Sequence, residues 1–505
     1  MTKILSNINE LKKKIYQLKK QRKKIALVHG VFDLIHLGHI EHFKEAKKNG
    51  DILIATVTSD RFVKKGFNKP YFDEGDRCSF LASLTTIDYV FCNDFKHAEK
   101  VIKIIKPTFY VKGPDYLKKS GDVAGYLTLE KNALNKFGGK LMFTTGQQLS
   151  STKIINDNFQ NLNKKDNQYL KSLKKNTDSK IIVDEFRNVL KKSKNQKILV
   201  IGEIIIDEYL YSSPQGQPAK ENILAVNFEK QEVFFGGVLP LIKNISQFCK
   251  NVTLATIYQD DSIKNKIYRH FPKSVKLKLF KNKEFVDVRK KRYVNLQNFS
   301  KIFEAYHFIN KDFNDEKFKK FLIKNVGKYD HVIVCDFGHG LINSNLANFI
   351  TKKAKFVSAN IQTNSGNRGY NLFTKYKKLD FLCIDEPELR LGLSDKNTKL
   401  DTLINSLNKK KYKNIMLTQG ARGLSLKQKN KKILWLPAAA TDLKDTIGAG
   451  DAAFSFASCF VRNSKNEKLI SIVAALSAAI KVGIIGHRKH IEIDNLFKSL
   501  ISYLK

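Results

Sequence analysis

The segment Ile25-Ala-Leu-Val-His-Gly-Val-Phe-Asp-Leu-Ile-His-Leu-Gly-His39 decides the fold of the first part of this chain. Its apolar opening, Ile25–Val28, reads as a buried strand, Gly30 breaks the run, and a helical pattern follows over Gly38–Lys48. A strand feeding a helix across a glycine turn is the unit of a parallel, doubly wound sheet. The turn carries His36-Leu-Gly-His39. Two imidazoles three apart at a helix start can both face a ligand, and the exposed N–H groups and dipole there favour phosphate. Gly30 and Gly38 let the backbone approach an anion with no Cβ in the way. A lone pair of histidines is more often surface, core or metal ligand. The glycines, the strand before and the helix after move this pair towards phosphate chemistry.

Outward from this motif, Ile52–Val57, Tyr89–Phe91, Phe109–Val111 and Leu141–Phe143 read as further strands, and Ala98–Ile105 as a helix. Upstream, Ile4, Ile8, Leu11, Ile15 and Leu18 recur at three- and four-residue steps, an amphipathic helix within 1–23 that covers a core rather than a leader with an apolar centre. The first α/β domain then spans 24–156. From Asn156 to Gln196 the chain turns to Lys, Asn and Asp, with one helical stretch at Ile181–Lys191, so 157–196 is expected to be a polar linker. A second α/β domain, 197–505, opens on the strand Lys197–Ile201. Strand-like runs recur at Val252–Ile257, Val332–Cys335, Phe356–Val357, Phe381–Ile384 and Ile415–Leu417. The fold class is therefore α/β, with two doubly wound parallel-sheet domains.

Composition bounds the function. With 42% hydrophobic and 27% charged residues among 505, wholesale disorder is excluded. The apolar run Leu469–Ile480 lies between Lys468 and Lys481 and is short of the ~20 residues a bilayer span needs, so a buried helix and no membrane are expected. The net charge of +42 comes mostly from Lys spread along the chain, which suits phosphorylated small molecules better than a specific nucleic-acid groove. The six cysteines show no paired spacing, so no zinc site or disulfide framework is expected, and the cytosol is the expected compartment.

Gly30-Val-Phe-Asp-Leu-Ile-His-Leu-Gly-His39 resembles the signature of nucleotidyltransferases that join a nucleotide to a phosphorylated alcohol or sugar. Thr58-Ser-Asp60, Arg77, Val111-Lys-Gly-Pro-Asp-Tyr116 and Leu149-Ser-Ser-Thr-Lys-Ile-Ile155 follow in the order of that family. The Lys-Gly-x-Asp-Tyr form is nearer the heptose-phosphate adenylyltransferases than the glycerol-phosphate cytidylyltransferases, whose Arg before the closing motif is Thr145 here. The resemblance implies attack of a substrate phosphate on the nucleotide α-phosphate with loss of pyrophosphate. By the same match His36 and His39 are catalytic. Gly30, Phe32, Gly38, Lys112 and Asp115 lie by the nucleotide, and Ser151 and Thr152 hold its outer phosphates. Arg77 and one of Lys64 or Lys65 add positive charge, a solvated basic face being the alternative for the lysines.

Near the other end stands Asp445-Thr-Ile-Gly-Ala-Gly-Asp451. Gly448, Ala449 and Gly450 offer N–H groups in a turn at a helix start, and Asp451 is placed to take a proton from an attacking hydroxyl. This run resembles the signature of ribokinase-like sugar kinases, which implies a second, small β lid in that domain. Gly202–Tyr209 with Asp207, and the pair Gly236-Gly237, resemble that family's sugar-binding parts. Asp385-Glu-Pro-Glu388 lies where the family has N-x-x-E, implying a Mg2+ link through Asp385 and Glu388. Thr418-Gln-Gly-Ala-Arg-Gly423, with Thr418, Gly420 and Gly423, resembles the ATP side. Four departures stand out: Glu203 for Asp, Pro240 in the segment expected to hold Asn, His339 for Lys in a D-Y-G-K-G-like element, and Asp385 for Asn. The polar stretch 360–371 replaces a D-P-K-G run. It reads as a substrate-specific loop through Asn364 and Arg368, or as a turn-rich connection.

Together the halves resemble the bifunctional heptose kinase/adenylyltransferase family, with an order expected to be inverted. The implied ligands are sugar phosphates and nucleotides, ATP with Mg2+ for the kinase, ATP or CTP as nucleotidyl donor, and a homodimer formed through the lid. Three other readings stay open. One is a transferase for another sugar or polyol phosphate using CTP, another a kinase-like module without activity, and the last a nucleic-acid binder.

Overall fold

The computed structural model describes residues 3–63, 70–114, 126–145, 164–218, 221–272, 274–308, 314–440 and 443–504, without the side chains of 164, 165, 167 and 408–410. The chain divides into two compact units, over residues 1–160 and 161–504.

The first unit holds β1 (Ile4–Leu5), β2 (Ile25–Gly30), β3 (Ile52–Thr58), β4 (Tyr89–Asn93), β5 (Phe109–Lys112) and β6 (Lys140–Phe143). They form one six-stranded parallel sheet in the order β1-β4-β3-β2-β5-β6. Each central strand is a short apolar run buried on both faces, as a sheet covered by helices requires. The amphipathic helix appears as Ile8–Lys20. Asn7 caps it through Asn9 N and Glu10 N, and it buries Leu11, Ile15 and Leu18 beside Ile102 and Ile105. The two-residue strand β1 is too short for any periodicity to reveal. From β2 the chain moves one way to β3 and β4 and later the other way to β5 and β6. The crevice at the carboxyl ends of β2 and β5 is therefore the topological switch point, where open α/β sheets bind ligands.

Among the described residues the second unit holds thirteen strands: β7 (Lys197–Gly202), β8 (Ile204–Gly216), β9 (Ala225–Gly237), β10 (Asn251–Tyr258), β11 (Lys276–Lys281), β12 (Val288–Asn295), β13 (Lys301–His307), β14 (His331–Asp336), β15 (Val357–Ile361), β16 (Leu379–Asp385), β17 (Tyr412–Thr418), β18 (Leu424–Gln428) and β19 (Leu434–Leu436). Nine form the main sheet, β11-β10-β7-β14-β15-β16-β17-β18-β19, parallel up to β17 and antiparallel beyond. The other four form the lid, β13-β12-β8-β9. The run Leu469–Ile480 lies inside the buried helix Glu467–Val482. Among the described residues no helix is long and apolar enough to cross a membrane.

The segment expected to be a polar linker differs. It carries the helices Lys164–Lys175 and Ser179–Ser193. The second is capped by Asp178 and buries Ile182, Phe186 and Val189, with the Phe186 ring 5.2 Å from Phe460 and 5.1 Å from Phe497. Abundant Lys and Asn on the outer face masked one apolar stripe, and that stripe makes the segment part of the second unit.

Candidate functional sites

In the first unit His36 is the N-cap of helix Leu37–Lys48, directly after the β2 turn. The His36 and His39 rings stack with centroids 4.0 Å apart, and His39 packs edge-on to Phe32 at 5.6 Å. Phe32 has a left-handed φ of 49° and folds back over Gly30, where a Cβ would come within 2.9 Å of its ring. Gly30 is thus required by Phe32. Phe32 itself is buried against Phe43, so it shapes the turn rather than presenting a face to a nucleotide. Asp33 fixes the opposite side by accepting from Tyr71 N at 2.6 Å and Phe72 N at 3.0 Å.

The expectation for the Arg77 charge is corrected. Arg77 does not offer its charge to a ligand: it is fully buried. Its guanidinium donates to Phe72 O, Val31 O, Thr58 O and Asp60 Oδ1 at 2.5–3.0 Å, clamping the loops around the turn. Lys112, at the end of β5, is also buried, with its Nζ 3.0 Å from Glu130 Oε2. Burial alone would raise the Glu130 carboxyl, but Lys112 and His29 outweigh it and hold it low. Burial, then the Lys112 charge, pushes His29 down to about 4, so it enters as a neutral ring bonded to Thr56 Oγ1 at 2.9 Å. Lys64, Lys65, Asp115, Ser151 and Thr152 lie outside the described residues.

In the second unit the carboxyl ends of the parallel strands bring the remaining candidates to one rim. Helix Ala449–Asn463 starts from Gly448, whose φ of 76° makes the turn left-handed, and Asp451 stands in its first turn. Burial pushes the Asp451 carboxyl up to about 6, opposed by Gln362 and by the charges of Lys290 and Lys481. The Gln362 amide donates to Asp451 Oδ1 and, at 2.9 Å, to Asn360 Oδ1. Asp445, at the head of the same run, accepts from Tyr209 Oη at 2.7 Å, Gly486 N at 2.9 Å and Ile447 N at 3.1 Å. Those bonds outweigh burial, keep its carboxyl low, and tie the glycine turn to the lid.

Asp207 lies on the lid strand β8 in a buried ion pair with Arg292 of β12. A Cβ on Gly236 would run into Asp207 Oδ2, and one on Gly237 would meet Ile205 N at 2.9 Å, so both glycines let β9 pass close to β8. Pro240 occupies the first turn of helix Val238–Ile245, where no helical N–H is lost.

The departures at Glu203 and in 360–371 have a structural account. Glu203 is fully buried and accepts from Phe337 N at 3.1 Å and His339 N at 3.2 Å, while burial and Asp336 push it up to about 7. Asn364 and Asn367 donate to Phe337 O at 3.0 and 2.9 Å, and Asn371 donates to Asp336 O at 3.2 Å. Asn364 therefore spends its amide holding the 336–340 turn, a correction to its expected contact with substrate. Arg368 is exposed.

Asp385 and Glu388 form a capping box on helix Glu386–Leu393, and Glu388 Oε1 also accepts from Thr363 N at 2.8 Å. Burial and the neighbouring Asp385 push Glu388 up to about 8. Among the described residues no cluster of three His, Cys, Asp or Glu builds a protein-only cage. Two hard carboxylates at this rim are the donor type that fits a Mg2+ ion, which keeps its waters and shares itself with phosphates. Thr418 ends β17 in register with Asp385. Gly420 and Gly423 have φ of 56° and 97°, and a Cβ on Gly423 would collide with Leu436 O.

Lys290, Arg292, Gln362, Lys481 and Glu130 escaped the sequence reading as site residues. Alternation in Val288-Arg-Lys-Lys-Arg-Tyr293 puts Lys290 and Arg292 on one face of β12, a signal available in principle. In sequence Lys481 is only the flank of an apolar run, yet it is 4% exposed.

Comparison with known proteins divides the chain at the same place. The cytidylyltransferase-like family model matches residues 27–157, and that of the pfkB family carbohydrate kinases matches 195–488. "Bifunctional protein HldE" of Desulfatibacillum aliphaticivorans is 33% identical over 156 residues, 30% of this chain and 30% of that protein. Its counterpart in Aliarcobacter butzleri is 35% identical over 156 residues, 30% and 32%. These matches span about a third of the length of the curated relatives. Nothing in them bears out an inverted order of the two halves, and that expectation is dropped. A ribokinase structure from Thermotoga maritima aligns with 60% of this chain and 99% of its own, at 17% identity and a TM-score of 0.48.

Proposed function

This chain belongs to the pfkB family of carbohydrate kinases, and from that premise we propose that its second unit phosphorylates a sugar with ATP while its first transfers a nucleotidyl group to a sugar phosphate. The acceptors that best fit the sequence resemblance are a heptose 7-phosphate-like sugar for the kinase and a heptose 1-phosphate-like sugar for the transferase.

The observation that carries the kinase half is Asp451, pushed up to about 6 and oriented by Gln362 beside the left-handed Gly448 turn. A carboxylate tuned towards neutrality accepts a proton at physiological pH without being protonated beforehand. Asp451 takes the proton of the acceptor hydroxyl, whose oxygen attacks the γ-phosphorus of ATP as ADP leaves. The N–H groups of the 448–451 turn, and Lys481 close by, stabilise the charge on the transferring group. Asp207 and the Arg292 beside it orient the sugar. Asp385 and Glu388 would hold Mg2+, which when bound neutralises phosphate charge.

In the first unit the stacked His36 and His39 stand at the switch point, over the N-terminus of their helix. The nucleophile is a phosphate already ionised, so these residues serve the charge gained at the α-phosphorus rather than remove a proton. We propose a homodimer formed through the lid, whose strands expose Phe228, Val233 and Phe303. All six cysteines are free, which fits a reducing, cytosolic setting.

The test is to incubate the protein with Mg2+, ATP or CTP and a panel of sugar 1-phosphates, and to identify products by mass. A nucleotide-sugar from heptose 1-phosphate and ATP supports this reading. A product only from another sugar or polyol phosphate with CTP moves the protein to a different glycan precursor. Absence of any pyrophosphate release overturns the transferase half.

A further inference from the structure

Helices Lys164–Lys175 and Ser179–Ser193 lie between the stretches matched by the two family models, yet both are built into the second unit. Helix Ser179–Ser193 is anchored through Glu185, which accepts from Ser464 Oγ and, at 2.9 Å, from Asn466 Nδ2. Helix Lys164–Lys175 buries Leu170 and sends Tyr169 to the edge strand β19. Tyr169 Oη donates to Trp435 O at 2.8 Å, and the two rings stand 5.4 Å apart. β19 has three residues and, among the described residues, β18 as its one strand neighbour. So short an edge is weakly held by its ladder, and a side chain clamped on it fixes where it lies.

From Trp435 the contacts lead to the site. Its Nε1 donates at 3.1 Å to Arg422 O, in the turn Gly420–Arg422 whose sequence resembles the ATP side. The next residue of β19, Leu436, places its carbonyl where a Cβ on Gly423 would collide, so the turn is seated directly against the strand. The Arg422 guanidinium pairs with Glu386, which also accepts from Arg390 Nε at 2.9 Å. Glu386 opens the helix whose capping box is made by Asp385 and Glu388, the carboxylates that would hold Mg2+. Contacts therefore run without a break from a helix outside the matched kinase stretch, through Trp435, to the glycine turn and to the acidic turn beside it. We propose that Tyr169 is a positioning residue for the nucleotide side of the kinase: through Trp435 it holds the Gly420–Gly423 turn where ATP and ADP bind, which couples docking of the interdomain helix to nucleotide occupancy. This rests on the kinase reading above and goes beyond it. The coupling is reciprocal, so whatever the docked helix adds to nucleotide affinity, bound nucleotide adds to docking.

The test uses the full chain, in which Trp435 is the single tryptophan and its emission reads this contact. ADP is titrated with Mg2+ against the wild type, Tyr169→Ala, Tyr169→Leu and Tyr169→Phe, and against Lys171→Ala, an exposed position on the same helix. Tyr169→Leu keeps an apolar contact should Tyr169→Ala loosen the helix, and the melting transition is recorded for each. ADP is expected to shift the emission of the wild type, and its affinity to fall by about five- to tenfold in Tyr169→Ala and Tyr169→Leu, the scale of a lost aromatic contact with its hydrogen bond. Tyr169→Phe, which loses only the hydrogen bond, should fall between, and Lys171→Ala should match the wild type. An emission that ADP leaves unchanged, or equal ADP affinity in the wild type, Tyr169→Ala and Tyr169→Leu, overturns the positioning role. ADP release from ATP with a panel of sugars and sugar phosphates is measured on the same samples. ADP release with equal affinity in all variants overturns the positioning role alone. Variant-sensitive ADP binding without ADP release from any acceptor overturns the kinase reading alone.

Discussion

The side-chain amide of Gln362 donates to the carboxylate of Asp451, and Asn360 fixes which way that amide points. A donor on a carboxylate favours its ionised form, so Gln362 counteracts the burial that lifts Asp451 to about 6. Removing it in Gln362→Leu leaves burial less opposed, and the Asp451 pKa rises. Because the base must be ionised, the acid limb of kcat/KM for the kinase reaction moves to higher pH. A several-fold loss at pH 6 with little loss at pH 8.5 is expected from pH–rate profiles. An unmoved limb would separate Gln362 from Asp451.

Replacing the base itself separates activity from stability. Asp451→Asn is expected to lower kinase kcat by about 10²–10⁴ while pyrophosphate release by the first unit is unchanged. The fold favours the protonated carboxyl, so the cost of the buried charge is absent below the ordinary value of 3.8 and complete above about 6. Asn removes that cost. The melting transition of the second unit should therefore rise at pH 8, by the equivalent of about 1–2 kcal/mol, and stay level at pH 4.

His39 stacks on His36 at the helix start, so His39→Ala removes both its own contact and the support of its neighbour. Nucleotidyl transfer should fall by about 10²–10³ in kcat, the usual loss when a donor to developing charge is deleted. Kinase turnover, measured as ADP release, should not change. Full transferase activity would remove this pair from the mechanism.

Arg77→Met leaves Asp60 without its ion-pair partner and three backbone carbonyls without this donor. Asp60 is 39% exposed, so the cost comes mainly from the buried carbonyls left unpaired, about 1–3 kcal/mol for each. Denaturant unfolding should show the first unit melting early, with the second unit's transition in place. A loss confined to nucleotide KM, with no change in unfolding, would instead restore Arg77 to the ligand site.

Gly236→Ala drives a methyl group into the Asp207 carboxylate. The main effect expected is on the sugar side: KM for the acceptor rises at least tenfold while KM for ATP holds, read by varying each substrate in turn. An equal effect on both would mean that the lid as a whole had moved.

Strand–glycine–helix punctuation was enough to read the central parallel strands of the two main sheets, β2–β6 and then β7, β10 and β14–β17, because a parallel strand buried on two faces is a short apolar run wherever it sits. His36-x-x-His39 and the Asp445–Asp451 run were legible for a related reason: backbone N–H groups at a helix start need glycine and a fixed spacing, both local properties. What the sequence determined by itself was therefore the pair of α/β units and the turns on which chemistry is mounted. Which charges face those turns was decided only by tertiary structure. Arg77 and Lys112 read as ligands and became buried clamps, since each found a carboxylate far away in sequence, Asp60 and Glu130. Asn364 spends its amide on the backbone of a strand end, and Lys290 and Lys481, unremarkable in a lysine-rich chain, come to lie within reach of Asp451. Partner choice for a buried charge depends on dielectric and distance across the fold, and neither is written in local spacing.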